Sequence, residues 1–419
     1  MIQSKISDYR LCSFVMKIEL DGGYLLYNTL TGSLVYLDNT EDIRDTLPKL
    51  IEMNYYVPID FDELAMIDKM RIDARLKSSK RVNSYTIFTT LDCNARCFYC
   101  YEKGTPHVSM SEQTANDVAD FIIRNSNGQS QDIRWFGGEP LVNENVIDII
   151  TEKLNSSKVK FHSRMISNGL LFNKRNILKA QQYWHLQRVQ ITLDGTKDVY
   201  QRAKAYIGAK GNEFERVLNN IEDLLDAKIG VSIRLNQDLY NTEDLINLVN
   251  FLVKKFENRK GFAIYNSLLF DDSNDAFKND PKERNEAFTK LQDILIQKGV
   301  FRYKAFSTKF KYSHCMADHD SSITINPIGK IGKCEHYPND YLIGSIYKEN
   351  INETILNKWK ETYPIIDKCK TCPIYPQCVR IKMCPDSNEK CSYKECENKI
   401  KLIRDIVIKR YNDDIQQTK

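Results

Sequence analysis

Between residues 84 and 300 six strand-like runs alternate with amphipathic stretches, and this limits the fold more than any other feature of the 419-residue chain. The runs are SYTIFTTL, DIRWFGG, VKFHSRMIS, LQRVQITLD, KIGVSIRLN and GFAIYNSLL. Stretches such as SEQTANDVADFIIRN and FERVLNNIEDLLDAK repeat their apolar residues at helical spacing. Repeated βα units imply an α/β fold with a parallel sheet, open or closed into a partial barrel. Such sheets bind ligands at the carboxyl ends of their strands.

Two further segments flank this one, as expected for a chain of two or three domains. Residues 1–80 carry three short strand-like runs, FVMKIEL, GYLLYN and SLVYL, separated by turn-rich DGG and NTLTG. NTEDIRDTLPKLIEM then predicts a helix capped by Asn or Thr, and DFDELAMIDKMRIDARLKSS a second helix. Strands followed by helices suit either a small winged-helix-like recognition domain or an extension packed on its neighbour. FDDSNDAFKNDPKERNE reads as a polar loop. Residues 305–405 are rich in cysteine, short on periodicity, and end in a helix over ENKIKLIRDIVIKRYNDD.

A net charge of +4, with acids and bases mixed throughout, argues against nucleic-acid binding. No apolar run has the length a bilayer span needs, and MIQSKISDYRLCSF lacks the apolar centre of a signal peptide. The expectation is a soluble cytoplasmic protein with no membrane partner. In a reducing compartment its 12 cysteines need a purpose other than disulfides. Cys12 stands alone and reads as a small core residue.

Cys93, Cys97 and Cys100 form CxxxCxxC just past the first strand. Thiolates suit iron–sulfur clusters and zinc. Structural zinc takes four closed ligands, and His107 is the nearest histidine downstream that could be a fourth. Three thiolates on a 4Fe-4S cluster would instead leave one iron open.

Three more motifs follow in order on successive strands. They are GGEP (Gly137, Gly138, Glu139, Pro140), SNG (Ser167 to Gly169, with Asn168 at its centre) and TLDG (Thr192 to Gly195). With the triplet and the aromatic Tyr99 before its last cysteine, they closely resemble the radical SAM superfamily over residues 84–300. The resemblance implies a partial (β/α)6 TIM-like barrel. It also implies a 4Fe-4S cluster on the three cysteines and S-adenosylmethionine bound at the open iron. By similarity Tyr99, Gly137, Gly138, Glu139, Asn168, Thr192, Lys204 and Leu235 would hold that cofactor. Thr192 stands where relatives often carry Ser, and Lys204 where they often carry Arg; Arg202 is its rival. Glycine allows close backbone approach, and Pro140 suits a helix start.

The C-terminal spacing runs Cys315-x13-Gly329-x4-Cys334, then Cys369-x2-Cys372-x5-Cys378-x5-Cys384, then Cys391 and Cys396. Eight thiols suffice for two clusters or two zinc sites. The pattern resembles the SPASM domain, with x5 in place of x3 before Cys384. That resemblance implies two auxiliary 4Fe-4S clusters. Cys369, Cys372, Cys378 and Cys396 would hold one; Cys315, Cys334 and Cys384 the other, with Cys391 completing it or leaving an open iron. Glu335, beside Cys334, stands where sulfatase-maturing relatives place a proton-accepting Asp, and reads equally as a solvated or helix-capping acid.

The resemblance implies reductive cleavage of S-adenosylmethionine, driven by an electron donor such as flavodoxin or ferredoxin, to a radical that takes hydrogen from a peptide. The expected function is cross-linking, such as thioether formation, in a ribosomally made precursor whose leader docks on residues 1–80 as an added strand. Formylglycine formation by an anaerobic sulfatase-maturing enzyme is the alternative among enzymes. A zinc-stabilised peptide-binding module is the alternative outside them.

Overall fold

The computed structural model describes residues 6–40, 42–77, 81–269, 281–301, 310, 315–348, 350–359, 367–377 and 393–418. Packing divides the chain into two compact units. One comprises residues 1–78, 303–318 and 360–419; the other, residues 79–302 and 319–359.

The first unit opens with β1 (Tyr9–Leu11), followed by the antiparallel meander β2 (Val15–Leu20), β3 (Gly23–Asn28) and β4 (Leu34–Asp38). Then come α1 (Ile43–Glu52), β5 (Tyr56–Pro58), which pairs with β1, and α2 (Glu63–Lys77). The cap of α1 is Asp42, not Asn or Thr: its carboxylate accepts from the Arg44 amide at 2.9 Å. The pair β1 and β5 has no sequence signal, because three residues are too few to display a period.

The second unit holds the βα repeats. In chain order they are β6 (Ser84–Thr90), α3 (Glu112–Ser126), β7 (Gln131–Gly137), α4 (Glu144–Ser156), β8 (Phe161–Ser167), α5 (Lys174–Gln182) and β9 (Leu186–Thr192). There follow α6 (Lys197–Lys204), α7 (Glu213–Asp226), β10 (Gly230–Gln237), α8 (Thr242–Lys255), β11 (Phe262–Leu268) and α9 (Pro281–Gln297). All six expected strands form and lie parallel in sequence order, giving the partial-barrel α/β architecture. The helix α9 begins at Pro281, inside the stretch read as a loop; proline at a first helical position loses no hydrogen bond.

Beyond β6 the sheet continues through β12 (Ser322–Ile325), β13 (Lys330–Gly332) and β14 (Gly344–Ser345), with α10 (Glu353–Lys358) after them. β12 runs parallel to β6 and the next two strands turn back antiparallel. Strands of two to four residues were hidden in the cysteine-rich segment. The last helix, α11 (Tyr393–Thr418), is assigned to the first unit and outruns its sequence estimate at both ends.

Alternation along the strands sorts side chains between two layers. Ile133 and Trp135 of β7, Val189 and Ile191 of β9, and Val231 and Ile233 of β10 are all fully buried. So are Val118, Ile147, Val217 and Leu248 on the helices that follow the strands. The intervening residues on each strand face the other way, into a cavity.

The first unit builds its core from both ends of the chain. Phe14, Ile18, Leu25, Tyr27, Tyr55 and Ile67 cluster with Cys372, Ile374, Tyr375, Ile403 and Val407. Phe14 stacks on Tyr375 with centroids 6.1 Å apart, and Arg71 donates to the Tyr375 carbonyl at 2.9 Å. Cys12 is buried in the same cluster, and burial pushes its thiol up to about 12.

Candidate active site

The strand ends and the loops after them enclose a cavity of about 490 Å³ within the second unit. Cys93, Cys97 and Cys100 line it, as do Tyr99, Gly137, Gly138, Asn168, Thr192, Lys204 and Glu335.

The cysteine loop follows β6 and is laced down by backbone bonds. The Arg96 amide donates to the carbonyls of Lys204 and Ala205 at 3.0 and 3.2 Å, and the Ile207 amide to that of Asn94 at 2.9 Å. The side chain of Asn168 donates to Asn94 Oδ1 at 2.7 Å and lies 3.9 Å from Cys93 Sγ. Burial, then the nearby Glu139, pushes the Cys93 thiol up to about 12; burial also raises Cys100. A metal bound here would displace those protons. His107 points instead to Asp92, 2.9 Å away.

The glycine pair is required by that loop. Gly137 has φ +130°, and a Cβ on it would lie 2.0 Å from the Thr90 carbonyl oxygen. A Cβ on Gly138 would lie 2.3 Å from the Asp92 carbonyl oxygen. The amides of Gly138 and Glu139 donate to those same two oxygens at 3.1 and 2.9 Å. GGEP is thus zipped against the start of the cysteine loop.

Glu139 does not line the cavity. Its buried carboxylate accepts from the Asn168 amide at 2.7 Å, the Ser167 hydroxyl at 2.9 Å and the Leu141 amide at 3.2 Å. It therefore ties GGEP to SNG. Burial dominates these bonds and pushes it up to about 7. Leu235 is also absent from the lining, because it sits on the helix-facing parity of β10 and is fully buried. Its neighbours Arg234 and Asn236 face the cavity.

Beneath the thiols lies a buried polar network. Tyr99 donates its hydroxyl proton to Asp194 Oδ2 at 2.7 Å. The ammonium of Lys204 lies 3.0 Å from the same oxygen and 3.0 Å from the Tyr99 hydroxyl. Asn236 donates to Asp194 Oδ1 at 3.1 Å. Burial opposes the charge on Lys204, but the Asp194 carboxylate outweighs it and holds the lysine well above its usual range. Burial and the same carboxylate keep Tyr99 protonated. Lys204, rather than the exposed Arg202, is the base at the cavity. Asp194 was visible only as a letter of TLDG; nothing local marks it as the hub of this network.

Glu335 and His336 reach the cavity from the loop after β13, where the His336 ring packs on Tyr101 with centroids 4.6 Å apart. The neighbouring Cys334 does not line it. Cys315, Cys369 and Cys372 belong to the first unit. Cys369 and Cys372 form one tight turn, with the Cys372 amide donating to the Cys369 carbonyl at 3.3 Å. Cys378, Cys384 and Cys391 lie outside the described residues, and Cys396 lies in α11 with its side chain not described.

The donors suit a thiolate-held cluster with a polar ligand beside it. Three thiols share one cavity with Asn236, whose Oδ1 is buried without a hydrogen-bond partner among the described residues. The glycine pair leaves room against the loop.

Comparison with known proteins agrees with this chemistry. The family description "Radical SAM superfamily" matches residues 87–252. A GTP 3',8-cyclase of Clostridium perfringens is 24% identical over 307 residues, covering 67% of this chain and 90% of the cyclase. The radical SAM cyclopropyl synthase TigE of Paramaledivibacter caminithermalis is 22% identical over 282 residues, covering 55% of this chain and 58% of TigE. Among solved structures, native anSMEcpe with bound AdoMet superposes with a TM-score of 0.62 at 16% identity, over 80% of this chain and all of that one. Streptococcus suis SuiB superposes at 0.53 with 14% identity, over 88% of this chain and 94% of SuiB. The family match over residues 87–252, the shared fold and the thiol-lined cavity at the strand ends agree on a radical SAM domain within this chain.

Proposed function

We propose that the chain is a peptide maturase that modifies a ribosomally made precursor by radical chemistry, forming a cross-link such as a thioether. The observation that carries this is the cavity itself. It brings three cluster-type thiols, a polar cofactor cradle and Glu335 to one half-open cavity of about 490 Å³. Two structures of the same fold hold peptides: SuiB with the precursor SuiA, and anSMEcpe with the Kp18Cys peptide.

In this reading Cys93, Cys97 and Cys100 hold a 4Fe-4S cluster. Tyr99, Gly138, Asn168, Thr192 and Lys204 hold S-adenosylmethionine. When bound, the pair supplies one-electron chemistry able to take a hydrogen atom from a substrate carbon. The protein's part is orientation and exclusion of water. Glu139 keeps the GGEP and SNG loops in register, and Asp194 fixes Tyr99 and Lys204. Glu335, which lines the same cavity, would accept a proton released by the substrate. Auxiliary clusters on Cys369, Cys372, Cys378 and Cys396, and on Cys315, Cys334 and Cys384 with Cys391, would accept an electron or a substrate thiolate. Flavodoxin or ferredoxin would reduce the first cluster.

Residues 1–80 would dock the leader along an edge of the β2–β3–β4 sheet. Because Phe14 and Ile67 share a core with Tyr375 and Val407, docking is tested on the full chain. Added precursor should slow amide exchange in β2 or β4; unchanged exchange in both would remove the docking role.

The activity test uses anaerobically reconstituted protein, a reductant, S-adenosylmethionine and the peptide of a small cysteine-rich reading frame beside the gene. The expected product has lost two hydrogens and resists thiol alkylation at one cysteine. An aldehyde trapped by hydrazine would favour formylglycine formation, the reading that Glu335 keeps open. A colourless, zinc-containing protein would favour the peptide-binding module.

A further inference from the structure

The floor of the cavity carries arginines that the cofactor chemistry does not use. Arg134 of β7, Arg164 of β8 and Arg188 of β9 are paired neighbours in the sheet register, so they form one row across three strands. Arg234 of β10 stands one strand further on, opposite Thr192. All four line the cavity. Arg164 lies four residues before Asn168, the first residue past β8, and Arg188 four residues before Thr192, the last residue of β9. At roughly 3.3 Å per residue the row lies about 13 Å below the cofactor cradle.

Four guanidiniums in one half-buried space are costly unless something anionic meets them. Their partners in the protein account for part of that charge. Arg164 ion-pairs with Asp132, and Arg188 donates to the Ser232 hydroxyl at 2.9 Å. Arg234 donates to the Ser267 hydroxyl at 3.2 Å, with its Nε buried and unpartnered among the described residues. Arg134 makes no hydrogen bond or ion pair with any described residue. The cavity's own carboxylates, Glu102 and Glu335, sit among its loops rather than on these strands.

We propose that these four arginines bind a carboxylate of the substrate, so that an acidic residue of the peptide seats between Arg134, in the row, and Arg234, four residues nearer the cradle, while its neighbour reaches the cofactor. The proposal rests on the peptide-maturase reading and names its specificity. A guanidinium grips a planar carboxylate through two parallel bonds. The count of uncommitted forks suits one such group. A polyphosphate would bring several charges to a space in which Asp132 already pairs with one of the four guanidiniums, that of Arg164.

The test measures binding to the reconstituted full chain with S-adenosylmethionine present. The probes are acetyl-Ala-Glu-Ala-amide, its Gln counterpart, and inorganic tripolyphosphate. The Glu peptide should bind about tenfold tighter than the Gln peptide, with a preference that shrinks as salt rises. Arg134→Gln should erase the preference and Arg134→Lys keep part of it. Iron content and circular dichroism report folding, and Arg234→Gln carries the same test if Arg134→Gln does not fold. Equal binding of the two peptides would overturn carboxylate recognition and leave the maturase reading standing. Tripolyphosphate binding lost in Arg134→Gln, with no binding of either peptide, would overturn both readings.

Discussion

At the residue scale the decisive group is a buried ion pair with two neutral helpers. Lys204 and Asp194 have side chains only 4% and 3% exposed, so each depends on the other for its charge. Lys204→Met should strand the Asp194 carboxylate and cost about 3–5 kcal/mol in denaturant unfolding of the apo chain. Adding Asp194→Asn should recover much of that loss, which a double-mutant cycle would read. Glu139 makes a second prediction. Its folded value of about 7 lies above the ordinary 4.5, so the folded chain holds a proton that the unfolded chain releases first. Stability should therefore fall as pH rises from about 4.5 to 7, by about 3 kcal/mol from this group. Glu102, raised by burial to about 7, acts in the same direction. The difference between wild type and Glu139→Gln isolates the Glu139 share. Neither Asp194 nor Glu139 could be assigned its role from spacing, because both act through partners distant in the chain: Tyr99 for one, Asn168 for the other.

At the scale of elements, the strand-to-loop junctions carry the site. The cysteine loop can lie against GGEP only because two residues there lack a Cβ. Gly138→Ala should displace the loop and cut iron incorporation and S-adenosylmethionine binding, measured by iron content and calorimetry. Gly208→Ala is the control: its φ of +65° strains alanine by about 1 kcal/mol, but among the described residues no atom beyond its chain neighbours lies within 4 Å of the new Cβ. Iron binding should survive it. The six long strands and their helices were legible because each repeats its own period over seven or eight residues. β12 to β14 were not, since four, three and two residues cannot establish a period. The same parity that makes a strand legible explains Leu235. Its turn in the alternation falls on the helix side, while Arg234 and Asn236 fall on the cavity side.

At the scale of the whole molecule, the first unit joins chain segments more than three hundred residues apart. Tyr375 stacks on Phe14, lies beneath the Arg71 guanidinium and accepts its hydrogen bond through the carbonyl. Tyr375→Ala should cost about 3–5 kcal/mol and speed amide exchange in α2 and α11 together, since both contribute to that core. Unchanged exchange in α2 would break the link between the two ends. What the sequence by itself determined was local: where the long strands and helices run, which loop holds three thiols, and which glycines open it. Those follow from interactions between residues a few positions apart. Only the tertiary structure decided that Lys204 rather than Arg202 meets Asp194, that three arginines align in one row, and that the N-terminal sheet closes over Tyr375. Each depends on sheet register or on long-range packing, where a one-residue slip turns a side chain to the opposite face.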